Sequence, residues 1–159
     1  MDFRRVATAT MVAGTLDIGS AVLLTLAHGK SVGAMLQTVA SGPLGDAMQK
    51  AGAAGAGAGL LVHYALMAVM ALVFALAADR LLALVRRPLA AGAAYGVLIY
   101  LVMYWVVIPL RWGAATMTFG PGRTLIPIAI HILLVGIPIA LIIAGPRAGR
   151  DARPLRAVG

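Results

Sequence analysis

The chain has 159 residues, of which 62% are hydrophobic and 11% are charged, and it contains no cysteine. Soluble domains average about 45–50% apolar and about 25% charged residues, so this composition excludes a water-soluble globule and indicates an integral membrane protein. The lack of cysteine excludes disulfides, thiolate-bound metals and iron–sulfur clusters. The net charge is +8. The basic residues lie beside apolar runs and do not form a basic motif interleaved with aromatic residues, so no nucleic-acid partner is predicted.

Four apolar runs are long enough to cross a bilayer as helices, since a span needs about 20 mostly apolar residues. None of them alternates polar and apolar residues as the strands of a membrane barrel do. We therefore expect an all-α, polytopic protein in which one domain at 1–145 forms a compact bundle of four transmembrane helices. The predicted spans are residues 6–27, 60–84, 88–110 and 125–144.

The connections between the spans differ in kind. The first contains a 3.6-residue apolar period, which predicts a short amphipathic helix at 31–41 lying in the membrane interface and stopped by the Ser-Gly-Pro motif at 41–43. The Ala/Gly run at 51–59 is either a flexible lead-in or the packed first turns of the second span. The very short turn at 85–87 predicts that the second and third spans are antiparallel neighbours.

The distribution of basic residues predicts the orientation. Nine Lys and Arg lie on the side of the two termini, and four lie on the opposite side. Because basic residues favour the cytoplasmic side, both termini are expected in the cytoplasm. The basic tail at 146–159 is predicted to be disordered there, with its arginines near anionic headgroups.

One ionisable residue, Asp17, lies near the middle of a span, where a carboxylate costs about 2.5–3.5 kcal/mol on insertion scales. Residues at similar depths on the other three spans are His63, Tyr100, Tyr104 and His131. We hypothesise that these five side chains converge on a small polar pocket in the outer half of the bundle. The pocket would be either a proton-responsive or ligand-binding site or a structural hydrogen-bond cluster.

Other site chemistry finds little support in the sequence. Two histidines on two spans could ligate haem b, but Arg111 and Arg123 are the only cations placed to hold its propionates. The chain contains no nucleophile elbow, zinc-protease motif or phosphate-binding loop. No catalytic residue, metal or cofactor is therefore predicted, and a non-enzymatic role is favoured.

Small residues are placed to bring helices together, since close packing drives helix association in lipid. Gly14 notches the first span, and Gly92 and Gly96 form a GxxxG motif in the third. These faces serve either packing within one bundle or a homodimer contact. Pro138 is expected to kink the fourth helix, because it removes a backbone donor and crowds the preceding turn.

Two sets of residues carry a family resemblance. The first set is GTLD at 14–17, LQ at 36–37, ASGPLG at 40–45 and HY at 63–64, and the second is Pro88, Gly92, Tyr95 and Gly96 with VVIPL at 106–110. Over about residues 11–135 the chain resembles short four-helix bacterial inner-membrane proteins whose function is not established. It is broadly similar to YagU-type inner-membrane proteins, which share a late histidine, here His131.

The resemblance implies a multi-pass protein of the bacterial cytoplasmic (inner) membrane and a link to acid tolerance, and it brings no catalytic residues. Tyr104 stands where this pattern often has asparagine. The leading expectation is a non-enzymatic bundle with a polar pocket, acting in envelope or proton homeostasis. The alternatives are an accessory subunit of a larger membrane complex and a small transporter working as a homodimer, since four helices are few for a complete pathway.

Overall fold

The computed structural model describes residues 2–113 and 120–145, and within these ranges all regular structure is helical. The predicted disordered tail at 146–159 lies outside the described residues. The first helices in chain order are α1 (Phe3–Ala27), α2 (Val32–Leu44), a 3₁₀ turn (Asp46–Lys50), α3 (Gly52–Arg80) and the short α4 (Leu82–Arg86).

Two further helices contain π-helical segments. Helix α5 (Pro88–Trp112) includes a π segment at Val102–Val107. Helix α6 (121–144) consists of an α segment at Pro121–Ile130, a π segment at His131–Gly136 and an α segment at Ile137–Ala144.

Four of these helices, α1, α3, α5 and α6, are long and apolar enough to cross a membrane. The prediction of an all-helical chain with four candidate membrane-spanning helices is therefore confirmed. Their buried faces share one apolar core, to which α1 gives Ala9 and Ala13, α3 gives Met67 and Phe74, and α6 gives Ile139.

Helix α3 begins at Gly52, well before the predicted span start near residue 60. The Ala/Gly run therefore forms its first turns, the second of the two alternatives. These turns lie against α2: a Cβ on Gly55 would come within 3.2 Å of the Gln37 Cγ, and one on Gly59 would strike the Leu36 backbone. Glycine is needed there because the two helices approach closely enough for backbone to meet backbone.

Helix α2 runs through the Ser-Gly-Pro motif at 41–43 and ends at Leu44, so the predicted stop at this motif was wrong. Pro43 lies in the last turn, where its missing N–H removes only one helical hydrogen bond. The residue that caps the helix is Gly45, whose φ of 89° suits glycine.

Helices α3 and α5, predicted to be antiparallel neighbours, contact each other through a few side chains and not by close backbone packing. The connection between them contains α4, which separates their ends, and α6 packs against α1, α3 and α5. Tyr95 of α5 still reaches α3: its hydroxyl donates a hydrogen bond to the Met70 carbonyl at 2.7 Å, and its ring lies 5.1 Å from that of Phe74.

Each π segment ends two residues before a proline, at Val107 before Pro109 and at Gly136 before Pro138. Because proline has no N–H, it cannot continue the α-helical hydrogen-bond pattern, and a wider turn accommodates the missing donor. At Pro138, where the sequence predicts a kink, the structure has a π segment in the turn that precedes the proline.

Candidate functional site

Asp17 of α1 faces His63 of α3. The Asp17 Oδ2 atom lies 3.9 Å from the His63 Nδ1 atom, and the two side chains are only 19% and 9% exposed. This pairing places the one carboxylate of the predicted pocket opposite an imidazole on a neighbouring helix.

A hydrogen bond across the same helix contact fixes the ring of His63. Its Nε2 atom lies 2.9 Å from the Gly14 carbonyl oxygen of α1. A carbonyl oxygen can only accept, so Nε2 carries a proton and donates it to Gly14. Gly14 lies three residues before Asp17 and hence on the same face of α1.

Close approach of α1 and α3 depends on Gly14. A Cβ at this position would come within 2.8 Å of the Tyr64 ring. The Tyr64 hydroxyl in turn shares a hydrogen bond of 2.9 Å with the Thr15 hydroxyl of α1. Two adjacent residues of α3, His63 and Tyr64, thus bond to two adjacent residues of α1.

The aromatic side of the site comes from α5 and α6. The rings of Tyr100 and Tyr104 stack with their centroids 4.8 Å apart. The His131 ring of α6 meets both edge-on, at 6.1 Å from Tyr100 and 5.9 Å from Tyr104. Tyr100 is buried, whereas Tyr104 and His131 are half-buried.

Asp17 interacts electrostatically with both groups. Its carboxylate is within electrostatic reach of both His131 and His63 and of Tyr104. The structure therefore brings side chains from α1, α3, α5 and α6 into one polar cluster, made of Asp17, His63, Tyr100, Tyr104 and His131.

Both π segments contribute to this cluster: Tyr104 lies inside the π segment of α5, and His131 opens that of α6. Such segments are rare in proteins as a whole but occur often at functional sites, because they turn a side chain away from its α-helical direction. The His131 Nδ1 atom lies 2.8 Å from the Pro127 carbonyl oxygen and must donate to it. In the neutral ring of His131, Nε2 is therefore the acceptor.

The glycines of α5 position α6. A Cβ on Gly92 would come within 2.7 Å of the Ile137 Cα, and one on Gly96 within 2.6 Å of the Ile132 Cα. Gly136 of α6 lies against the backbone of the same two glycines. The GxxxG face of α5 is thus filled by α6 of the same chain, and it holds His131 against the tyrosines.

Sequence reasoning missed the hydrogen bonds that orient the site. It treated Gly14 as a packing residue, and it gave no role to Thr15 or Tyr64. The available signal was the i, i+3 spacing of Gly14 and Asp17, which places a notch and a carboxylate on one helix face.

A second polar contact, outside this cluster, was also missed. The Arg111 guanidinium at the end of α5 donates to the Ser41 carbonyl at 2.9 and 3.1 Å and to the Gly42 carbonyl at 2.9 Å. It also pairs with Asp46. Arg111 thereby binds carbonyls in the last turn of α2, where a cation is favourable to the helix dipole.

Chemically, the cluster holds one carboxyl, two imidazoles and two phenols. An imidazole and a carboxyl can each bind and release a proton, and the phenols can donate hydrogen bonds to either. No family model, curated protein or solved structure matches this chain.

Proposed function

We propose that this is a non-enzymatic, multi-pass protein of the bacterial inner membrane whose four long helices form a compact bundle around the polar cluster. In this proposal the cluster binds and releases protons as the external pH changes, and the protein acts in proton or envelope homeostasis. The proposal agrees with the acid-tolerance link implied by the family resemblance.

Surface composition supports the placement in lipid. Large apolar side chains along α3 are open to the surroundings, with Leu61 75% exposed, Val69 57% and Leu76 51%. A soluble monomer rarely exposes a continuous apolar face of this kind. The bilayer is therefore the proposed partner of these faces.

The excess of basic residues supports cytoplasmic termini. With that orientation, His63 and His131 lie in the outer half of the bilayer, each about 16 Å along its helix from the outer end at 1.5 Å per residue. Helix α2, which packs on the outer end of α3 and is held by Arg111, is proposed to lie in the outer interface.

The observation that carries the proposal is the placement of Asp17 at 3.9 Å from His63. Charged side chains at membrane depth are costly and usually mark proton or substrate sites. Here the carboxyl faces groups whose charge also changes with pH, so its cost depends on the protonation of its neighbours.

The titratable groups around this pair come from every long helix packed near it. Helix α3 supplies Tyr64 beside His63, with ring centroids 5.3 Å apart. Helix α5 supplies Tyr100 and Tyr104, and α6 supplies His131. Helix α2 contributes no ionisable residue in its sequence.

A distance measurement tests the proposal, and the absence of cysteine allows clean labelling. Lys30→Cys and Leu125→Cys, both at exposed positions near the outer ends of α1 and α6, would carry spin labels in nanodiscs. We expect the distance distribution to change between about pH 5 and 8, the range in which histidine titrates.

Two variants complete this experiment. Asp17→Asn should abolish the change, because it removes the carboxyl while keeping the side-chain shape. Ser20→Ala should retain it, since the Ser20 hydroxyl bonds only to the Asp17 backbone carbonyl of its own helix. An unchanged distance in the wild type across this range would overturn the proposed function.

The small-residue faces favour a single bundle over the two alternatives. The glycines of α5 face α6 and those at the start of α3 face α2, so these two glycine faces are already covered within the chain. A homodimeric transporter or an accessory subunit would have to use other faces. Cross-linking in native membranes separates these candidates. Adducts between two copies of this protein would indicate the homodimer, and adducts to a larger protein would indicate the accessory subunit.

A further inference from the structure

We infer that Asp17 and His63 hold a single proton between them, so that the pair is neutral as a unit although both of its members are ionisable. This inference deepens the proposed function by naming where the cluster holds its proton. It rests on heavy-atom geometry at the contact between α1 and α3.

The first step is the tautomer of His63. Because Nε2 must donate to the Gly14 carbonyl at 2.9 Å, a neutral His63 ring has no proton on Nδ1. The opposite tautomer would set the Nε2 lone pair against the carbonyl oxygen, which also has only lone pairs.

The Nδ1 atom of His63 faces the Oδ2 atom of Asp17 at 3.9 Å. If Asp17 were ionised and His63 neutral, these two atoms would both be acceptors and would face each other in a largely buried place. Nδ1 would then offer the carboxylate no donor, and two facing acceptors are costly away from water. One proton on either Oδ2 or Nδ1 removes the conflict.

Two arrangements therefore satisfy the site, a carboxylic acid facing a neutral imidazole or a carboxylate facing an imidazolium. Both place one proton on either Oδ2 or Nδ1, in addition to the proton on Nε2, and both have no net charge. The separation of 3.9 Å exceeds a direct hydrogen bond of about 2.7–3.2 Å. The proton thus belongs to one partner at a time, and its transfer needs a side-chain movement that brings Oδ2 and Nδ1 within hydrogen-bond distance.

His131 is the group that competes for this role. It lies within electrostatic reach of Asp17, and its Nδ1 is bound to the Pro127 carbonyl. An imidazolium at His131 could stabilise an ionised Asp17 from the side of α6. In that case His63 would be neutral with a bare Nδ1, and the pair would hold no proton.

Nitrogen NMR of histidine-labelled protein in bilayers distinguishes these states. The chain has three histidines, so His28→Gln and His131→Gln assign the signals of His63 by elimination. Infrared spectroscopy reports the carboxylic-acid carbonyl stretch, and Asp17→Asn identifies the contribution of Asp17.

At neutral pH we expect His63 Nε2 to be protonated, together with either an Asp17 carboxylic-acid band or a protonated His63 Nδ1. Finding neither proton, both protons, or a bare Nε2 would overturn the inference. Its failure is distinct from that of the proposed function: one shared proton with no pH-dependent distance change would leave the pair as a fixed structural element.

Discussion

Gly96 of α5 lies directly under the backbone of His131 in α6. A Cβ added to Gly96 would meet the His131 carbonyl and would lie within 2.6 Å of the neighbouring Ile132 Cα. The contact sets the depth at which the His131 ring meets Tyr100 and Tyr104, so a residue without a side chain positions the aromatic half of the cluster.

We therefore expect Gly96→Ala to destabilise the protein by about 1–3 kcal/mol, the usual cost of overpacking a tight contact. The free energy of unfolding in bicelles measures this loss. Gly57→Ala is the matched control, since a Cβ there meets nothing within 4 Å, and it should be neutral or stabilising by up to about 1 kcal/mol. Equal effects of the two substitutions would contradict the assignment of Gly96 to a backbone contact.

Arg111 is expected to hold α2 against the outer end of α5. Replacing it with Gln removes the charge and the forked donors that reach the Ser41 and Gly42 carbonyls. Charge-assisted hydrogen bonds contribute about 1.5–3 kcal/mol each, so amide exchange in the last turn of α2 should accelerate at least about tenfold. Arg80→Gln, at an exposed arginine of α3, should leave this exchange unchanged.

The start of α1 should respond to acid. Desolvation raises the pKa of Asp2, but the backbone N–H groups of Arg4 and Arg5 and the Arg5 guanidinium together lower it by more, so the net pKa lies below the ordinary value of 3.8. A lowered folded-state pKa stabilises the fold above the ordinary value and loses that effect as the pH falls through the folded value.

Asp2→Asn keeps an acceptor for the Arg4 N–H at the helix start but loses the ion pair with Arg5. We expect the wild type to be the more stable at neutral pH and the two proteins to converge in strong acid. Melting temperatures across this pH range test the expectation, and a difference independent of pH would contradict it.

Single-cysteine labelling tests the proposed orientation. Lys50→Cys, in the turn before α3, should react with a membrane-impermeant maleimide in intact bacterial cells with a permeabilised outer membrane. Ala83→Cys, at an exposed position in α4, should react only after the inner membrane is opened. The reverse pattern would place both termini outside the cytoplasm and would overturn the assignment of the cluster to the outer half.

The long helices were predictable because a bilayer demands long apolar runs, and the composition of the chain admits little else. Their neighbours were not predictable from connection length. The short link at 85–87 predicted that α3 and α5 are neighbours, but it predicted neither the helix α4 within the connection nor the packing of α6 against both. Such an arrangement depends on which glycine faces match in depth, which no single helix sequence reveals.

The sequence also led to the five residues of the cluster, through matched depths alone. Depth along a helix follows from 1.5 Å per residue, whereas the direction of a side chain around the axis depends on packing. The bond from His63 to the Gly14 carbonyl was therefore beyond the sequence. So was the placement of Tyr104 and His131 in π segments, which change that direction locally.

A double-mutant cycle between Asp17 and His63 measures whether these two residues interact across the contact between α1 and α3. Unfolding free energies in bicelles would be compared for Asp17→Ala, His63→Ala and the double variant. As a control, Asp17→Ala would be combined with Tyr95→Phe, which removes the hydroxyl bonded to Met70, about 10 Å along α3 from His63.

We predict a favourable coupling of about 0.5–3 kcal/mol between Asp17 and His63, and additivity within about 0.5 kcal/mol for the control pair. Additive effects of Asp17→Ala and His63→Ala would contradict the account, because they would show that the carboxyl and the imidazole do not interact.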